Sequence, residues 1–272
     1  MNDQASDGAG ERIAKRMARA GLCSRREAEQ WIVQGRVSVD GVTLTSPACV
    51  VTDKSVIAVD GKKLGAPERV RLFRYHKPEG LIVSAHDPHG RPTVFEHLPP
   101  GLPRLISVGR LDLNSQGLLL LTNDGAVARK LELPANGWTR RYRVRVHGEV
   151  DEAKLASLAK GVTIEGIHYG AIDAKLERRQ RSNAWIAIAL SEGKNREIRR
   201  IMDYLGLPVS RLIRVAFGPF SLGDLPPGAI AEVDPRSVDA QLGLAPPAKK
   251  LGWAKAKPRA KPSHKKHAHR RG

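Results

Sequence analysis

The stretch GRLDLNSQG, residues 109–117, continues into four consecutive leucines, Leu118 to Leu121, and ends in TNDG at 122–125. Four adjacent leucines cannot alternate between core and solvent, so the run predicts a strand that is covered on both faces. The turn-forming residues of TNDG would end this strand. We therefore expect Asp112 to lie on a loop that is held in place by a buried strand.

Length and composition predict a globular protein with two domains. The chain has 272 residues, enough for one small and one ordinary domain, and 41% of them are hydrophobic. No apolar run approaches the roughly 18 residues of a membrane span, and residues 1–10 are polar, unlike a secretory signal. We therefore expect a cytoplasmic protein with no membrane partner, and a monomer is the simplest assumption.

Cysteine and histidine spacing gives no sign of a metal or a disulfide. Cys23 and Cys49 are the only cysteines, too few for a disulfide scaffold, and neither lies in a CxxC or Cys/His motif. The histidines also lack companions at ligand spacing. The sequence thus predicts no metal and no other cofactor.

The net charge of +18 favours a polyanionic partner. Residues 245–272 hold ten Lys or Arg residues and no acid. Because this tail and the polar leader at 1–10 lack apolar periodicity, both are predicted to be disordered. Nucleic acid is the expected partner.

Residues 11–64 have the pattern of a small domain with two helices and a hairpin. Apolar residues recur at helical spacing from 13 to 20, and a capping box at 24–27 opens a second helix. The alternation around Asp-Gly at 37–44 predicts a two-residue hairpin. The basic residues of this unit fit either a solvated charged face or an RNA-binding surface. They are Arg12, Lys15, Arg16, Arg19, Arg25, Arg26 and Arg36.

A second domain is expected at 70–240, after a proline-containing linker at 65–69. Its predicted strands cover residues 71–76, 81–84, 106–111, 118–122, 141–146, 162–164, 171–176 and 185–190. Its predicted helices cover residues 126–133, 151–160 and 195–205. Strands predominate and do not alternate regularly with helices, which favours an α+β domain with a mixed, mainly antiparallel sheet flanked by helices.

Four stretches of the second domain resemble motifs of the RNA pseudouridine synthases. GRLD followed by SQGLLLLTNDG is similar to the central motif of the branch that contains RsuA and RluB. Three further stretches match in order: HKPEG at 76–80, RYRV at 141–144 and EGKNREIRR at 192–200. Residues 11–64 resemble an S4 domain, a small RNA-binding module. The resemblance spans residues 11–236 and implies an S4-like domain followed by a pseudouridine synthase domain.

The resemblance also implies roles for three residues. Asp112 matches the catalytic nucleophile, Arg199 the arginine that pairs with it, and Tyr142 the tyrosine that stacks on the target uracil. Arg199 would keep the carboxylate ionised, and stacking would stabilise a uracil that has left its helix. By residue type alone, the same three side chains are a turn aspartate, a structural arginine and a core aromatic residue.

A uracil inside a duplex cannot be reached, so its nucleotide must be flipped out while a basic surface holds the neighbouring nucleotides. The candidates for these phosphate contacts are Lys77, Arg110, Arg196 and Arg200. Isomerising uridine to pseudouridine requires no redox change and no energy input. The implied reaction therefore agrees with a protein that has no cofactor.

The strings at 192–200 and 209–214 are more similar to branch members that modify large-subunit ribosomal RNA than to those that act on the small subunit. The expected partner is 23S ribosomal RNA, alone or in a large-subunit assembly intermediate. Two alternatives are the same reaction on 16S ribosomal RNA and a noncatalytic ribosome-binding protein. Intact Asp112, Tyr142 and Arg199 argue against the second alternative.

Overall fold

The structure, a computed structural model, describes residues 10–133 and 137–243. The tail predicted to be disordered at 245–272, and the leader except Gly10, lie outside the described residues. The described helices are α1 (Ile13–Arg19), α2 (Arg25–Val33), α3 (Gly125–Glu132), α4 (Glu152–Ser157), α5 (Glu197–Tyr204) and α6 (Pro235–Leu242). None of these described helices has the length and apolar character needed to cross a membrane.

The strands of the described residues form one large sheet, one four-stranded sheet and two strand pairs. The first six are β1 (Glu11–Arg12), β2 (Val37–Val39), β3 (Val42–Thr43), β4 (Val50–Val51), β5 (Ile57–Val59) and β6 (Lys62–Lys63). The next six are β7 (Leu72–Lys77), β8 (Ile106–Val108), β9 (Gln116–Thr122), β10 (Arg140–His147), β11 (Val162–Ile164) and β12 (Ile167–Tyr169). The last five are β13 (Ile172–Gln180), β14 (Asn183–Leu190), β15 (Val209–Phe217), β16 (Phe220–Ser221) and β17 (Ile230–Glu232).

The N-terminal domain packs α1 and α2 against a sheet with the order β3-β2-β5-β6. The predicted capping box opens α2: Glu27 N donates to Ser24 Oγ (3.1 Å), and Ser24 N donates to Glu27 Oε2 (2.6 Å). The predicted hairpin joins β2 and β3, where Asp40 and Gly41 have φ values of 51° and 84°. Both helices and the hairpin are confirmed.

Nine described strands form the sheet of the second domain. Seven follow the order β13-β14-β10-β15-β9-β7-β17, while β16 pairs with β15 and β8 with β9. Among these described strands, β15 and β9 are parallel and the other pairs are antiparallel. Helices α4 and α5 cover one face, whereas α3 and α6 cover part of the other. The predicted α+β architecture is confirmed.

Strand β9 carries the leucine run through the middle of this sheet. Leu118 and Leu120 pack toward α3 and α6, whereas Leu119 and Leu121 pack on the opposite face against Tyr75 and its neighbours. All four leucines have 0% exposure. The prediction of a strand with two covered faces is confirmed.

Two predicted strands differ from the structure. Residues 81–84 form no strand, and a single bridge links Ile82 to Thr93 because the chain leaves the sheet here as a loop. The strand predicted at 106–111 is shorter, since Gly109 turns the chain with a φ of 66° after Val108. Both departures lie beside the loop that carries Asp112.

The sequence pattern does not predict β15 or α6. Arg211 and Arg214 interrupt the apolar pattern of β15, although Arg214 is only 3% exposed. Helix α6 follows a proline-rich stretch, where Asp234 accepts a hydrogen bond from Arg236 N (3.2 Å) and Pro235 occupies the first turn. Both elements owe their position to packing against β9 and its neighbours.

Strands β9 and β15 approach each other closely at Gly117. Its register partner on β15 is Arg214, and Gly117 has a φ of 102°. A Cβ atom on Gly117 would lie 2.2 Å from Arg214 O and 2.7 Å from Arg214 N, far inside van der Waals contact. Only glycine permits both this φ and this approach.

Replacement of Gly117 by alanine is therefore expected to lower the free energy of unfolding by about 3 kcal/mol, from overpacking and backbone strain together. The matched control is Gly228→Ala. Gly228 also has positive φ (81°), but an added Cβ would meet nothing within 4 Å. The control should lose about 1 kcal/mol. Urea unfolding measures both, and equal losses would mean that β15 can move away from β9 at little cost.

Candidate active site

Three adjacent strands bring the candidate residues together. Tyr142 on β10 is the register partner of Arg214 on β15, which is the register partner of Gly117 on β9. Asp112 lies on the loop that leads into β9. Asp112, Tyr142 and Arg214 all line one cavity of about 680 Å³, a size typical of ligand sites. The fold thus gathers residues that are about a hundred positions apart in sequence.

The backbone around Asp112 is anchored on both sides. Ser115 N donates to Asp112 O (3.0 Å), and Gly80 N donates to Leu113 O (3.0 Å). On the preceding side, Gly109 N donates to Glu132 Oε1 of α3 (2.6 Å). The carboxylate of Asp112 is half-buried at the cavity wall. This loop is held rigidly enough to aim its side chain.

Lys77 is the main anchor beneath this loop. Its side chain has 0% exposure, and Nζ donates to the carbonyls of Pro78 (3.0 Å), Leu113 (3.3 Å) and Ser115 (2.9 Å). Two of these carbonyls, those of Leu113 and Ser115, lie within three residues after Asp112. The sequence predicted a phosphate contact for Lys77, but a fully buried ammonium cannot reach a phosphate. Lys77 instead holds the loop.

The side chain of Arg199 also contacts the backbone of this loop. Nη2 donates to Asn114 O (2.7 Å) and Nη1 donates to Val209 O (3.4 Å). Within the described residues no ion pair joins Arg199 to Asp112, and Arg199 does not line the cavity. This differs from the pair that the resemblance implied, because the guanidinium reaches the carbonyl two residues beyond the aspartate. Arg199 therefore positions the loop in this structure.

Cations surround the cavity. Of the predicted phosphate contacts, Arg110 and Arg196 are exposed and line it, whereas Arg200 is exposed on α5 outside it. The sequence did not point to the other cations of the cavity wall, which are Arg91, Arg140, Lys194 and Arg214. Of these four residues, Lys194 could have been found from the sequence, since it lies in the EGKNREIRR motif. The wall suits an anionic ligand.

Glu197 is a buried carboxyl group in the same wall. It is 4% exposed, and burial raises its pKa. Oε2 accepts a hydrogen bond from Lys194 N (2.9 Å), and Oε1 has no partner among the described residues. Within the described chain, no cluster of three or more His, Cys, Asp or Glu residues is arranged to hold a metal ion.

The basic residues of the N-terminal domain lie away from this cavity, and none of them lines it. Lys15, Arg16 and Arg19 gather around Glu11 at 3.4, 3.3 and 3.0 Å. Burial works to raise the pKa of Glu11, but these cations outweigh it and hold the pKa below its ordinary value. Three predicted RNA contacts thus share a carboxylate partner.

The remaining basic residues of this domain differ in their surroundings. Arg36 pairs with Asp60 (2.5 Å) and stacks over Trp31 at 4.7 Å. Arg12, Arg25 and Arg26 are exposed and have no ion pair among the described residues. Among the predicted RNA contacts of this domain, these three are exposed and have no carboxylate partner in the described structure.

Lys77 makes stability depend on pH. Burial lowers its pKa from 10.5 to about 8, although Glu79 and Asp112 favour the charged form. Between these pH values the unfolded chain binds more protons, so the free energy of unfolding rises with pH through this group. The cost of burying the charge is present below pH 8 and is relieved toward 10.5.

Between pH 8 and 10.5, the free energy of unfolding of wild type is therefore expected to rise relative to that of Lys77→Met. The rise should reach up to about 1.4 kcal/mol per pH unit. Urea unfolding of both proteins across this range measures the difference. Lys175→Met, on exposed β13, is the control and should run parallel to wild type. A constant gap between wild type and Lys77→Met would show that Lys77 is not buried as an ammonium.

Known proteins share this architecture. Residues 71–204 match the RNA pseudouridylate synthase family, and residues 11–57 match the S4 domain. An uncharacterized RNA pseudouridine synthase of Rickettsia felis is 50% identical over 224 residues, covering 82% of this chain and 97% of the relative. Ribosomal large subunit pseudouridine synthase B of Yersinia pestis is 43% identical over 232 residues, covering 83% and 73%.

A crystal structure of a pseudouridylate synthase also matches this fold. It superposes with a TM-score of 0.59 at 27% identity, and the match covers 84% of this chain and 98% of the other. The two family matches agree with the order of the two domains. The chain belongs to the RNA pseudouridine synthases of the RsuA/RluB branch, enzymes in which an S4 domain precedes the synthase domain.

Proposed function

We propose that this enzyme isomerises a specific uridine of 23S ribosomal RNA, with Asp112 as the nucleophile acting on a flipped-out nucleotide. The observation that carries the proposal is the half-buried carboxylate of Asp112 in one cavity with Tyr142 and a wall of cations. A carboxylate at such a site can attack a sugar carbon, while the exposed cations Arg110 and Arg196 hold the phosphates on either side.

The reaction breaks the bond between C1′ and N1 and joins C1′ to C5 of the same uracil. Asp112 would act at the ribose as this bond breaks, and the uracil would turn while it stays bound. This step requires a loop that keeps Asp112 in a fixed position, because misplacing a reacting group by about 1 Å can slow a reaction about 100-fold. Lys77 and Arg199 supply that restraint through the carbonyls of the three residues that follow Asp112.

Tyr142 supports the flipped state in this proposal. It is half-buried, packs against two hydrophobic clusters of the synthase domain and lines the same cavity as Asp112. Stacking of a base on an aromatic ring contributes about 1 to 3 kcal/mol and offsets part of the cost of leaving an RNA helix. Arg110, Arg196 and Arg200 are proposed to contact the phosphates of neighbouring nucleotides.

The choice of 23S ribosomal RNA is supported by the relatives. Two of them, from Yersinia pestis and Salmonella typhimurium, are ribosomal large subunit pseudouridine synthases B, each 43% identical to this chain. The exposed cations of the S4 domain, Arg12, Arg25 and Arg26, would extend the contact beyond the modified nucleotide. The proposal places the enzyme in the cytoplasm as a monomer, where free Cys23 and Cys49 would remain reduced.

Asp112→Asn is expected to bind RNA as wild type does and to form no pseudouridine. The test offers each protein separate transcripts of 23S and 16S ribosomal RNA and maps pseudouridine by carbodiimide adducts and primer extension. Asp173→Asn, an exposed aspartate on β13, is the matched control and should retain full activity. If wild type gives a primer-extension stop only in 16S RNA, the proposed 23S substrate is wrong. If Asp112→Asn forms as much pseudouridine as wild type, Asp112 is not the nucleophile.

Lys77 and Arg110 are expected to behave differently in RNA binding. Lys77→Met should lower the single-turnover rate by about 100-fold and leave affinity unchanged, because the buried side chain meets no phosphate. Arg110→Gln should reduce the slope of log affinity against log salt by roughly 0.7 to 0.9, the value for one phosphate contact. A reduced slope with Lys77→Met would restore the phosphate contact that the sequence predicted.

A further inference from the structure

Arg214 is a buried cation in the wall of the cavity, and the proposed mechanism above does not use it. Its side chain is 3% exposed on β15, between Tyr142 and Gly117 in register. Nε donates to Leu118 O (2.7 Å). Nη2 is buried and has no hydrogen-bond partner among the described residues. One donor of this guanidinium is therefore unused in the free protein.

Arg214 is surrounded by too little negative charge to balance its own positive charge. Within the described residues it forms no ion pair with a carboxylate. A second cation lies close by, since the guanidinium groups of Arg214 and Arg140 both stack on Phe217, at 5.4 and 4.8 Å. Burial lowers the pKa of Arg214, and the nearby positive charge of Arg140 lowers it further. The neighbouring side chain of Tyr142 raises it.

The fold holds Arg214 in this position despite the cost of burying an incompletely paired charge. The backbone of Arg214 is fixed by the close approach of Gly117, where a Cβ would lie 2.2 Å from Arg214 O. The side chain of Arg214 donates a hydrogen bond to Leu118 O of the neighbouring strand β9. A charged group kept in an unfavourable setting at an active-site wall is a candidate for direct contact with a ligand.

We propose that Arg214 is a catalytic residue whose Nη2 donates to a carbonyl oxygen of the flipped uracil and stabilises the negative charge that forms there. The proposal rests on the proposed function, since it takes uracil as the group in the cavity. Uracil presents two carbonyl oxygens, at C2 and C4, and no negatively charged group in its neutral form. An unpaired guanidinium donor recognises such an oxygen and favours it most when it is anionic.

Charge develops on the uracil because of the electron count of the reaction. When the bond from C1′ to N1 breaks, its electron pair leaves with the uracil, and the charge spreads over N1, O2 and O4. The pair then forms the new bond from C5 to C1′. The proton on C5 is lost and N1 gains one, so atoms and electrons balance without a further reactant. Arg214 would stabilise the charged species between these steps.

The test compares wild type, Arg214→Met and Arg214→Lys on RNA whose target nucleotide is uridine, 2-thiouridine or 4-thiouridine. Sulfur accepts hydrogen bonds more weakly than oxygen. Single-turnover rates at saturating RNA are followed by nuclease digestion and separation of the nucleosides. Arg214→Met should react with uridine about 100-fold more slowly. Arg214→Lys should recover part of that loss, because it keeps a charged donor.

The thio substrates separate contact with the base from a structural role. At the contacted oxygen, the rate ratio of uridine to thiouridine should be about tenfold smaller in Arg214→Met than in wild type. A residue that only positions Tyr142 would lower all rates together and leave both ratios unchanged, which would overturn the proposal. Arg129→Met, an exposed arginine on α3, is the control and should match wild type throughout.

The measurements distinguish failure of this inference from failure of the proposed function. If wild type forms pseudouridine and Asp112→Asn does not, the proposed function stands, and the thio ratios alone decide the role of Arg214. If wild type forms no pseudouridine in any ribosomal RNA, both proposals fail together. Thermal unfolding of the Arg214 variants accompanies the rates, and the lysine variant keeps the test valid if the methionine variant does not fold.

Discussion

The close contact between Gly117 and the backbone of Arg214 is the constraint on which the site depends. It permits β15 to lie parallel to β9 in a sheet that is otherwise antiparallel among its described strands. That single pairing places Tyr142, two strands from β9, within one cavity with Asp112 at the start of β9. A larger residue at 117 would push β15 outward and separate Asp112 from Tyr142 and Arg214.

Positive charge serves two purposes around Asp112. Lys77 and Arg199 point their donors at main-chain carbonyls of the loop, so they act on its shape. Arg110 and Arg196 face the open cavity, where they are available to an anion. The same residue types thus hold the loop in one place and face the open cavity in another, and burial decides which of the two each performs.

The sequence predicted the elements well where the signal is local. The leucine run, the capping box at Ser24 and the strand that carries Tyr142 all depend on neighbouring residues, and the structure confirms them. The errors concern tertiary context. A lysine beside proline and glycine has the pattern of an exposed turn, yet Lys77 is enclosed by long-range pairing. Arg214 interrupts the pattern of a strand because its burial depends on partners about a hundred residues away.

The double covering of the leucine run also determines how the active site responds to heat. Asp112 is joined to a strand with no exposed side chain among its four leucines, so the loop cannot loosen unless that strand separates from both cores. Regions with such contacts open only near global unfolding. Thermal inactivation of this enzyme should thus coincide with unfolding of the whole synthase domain.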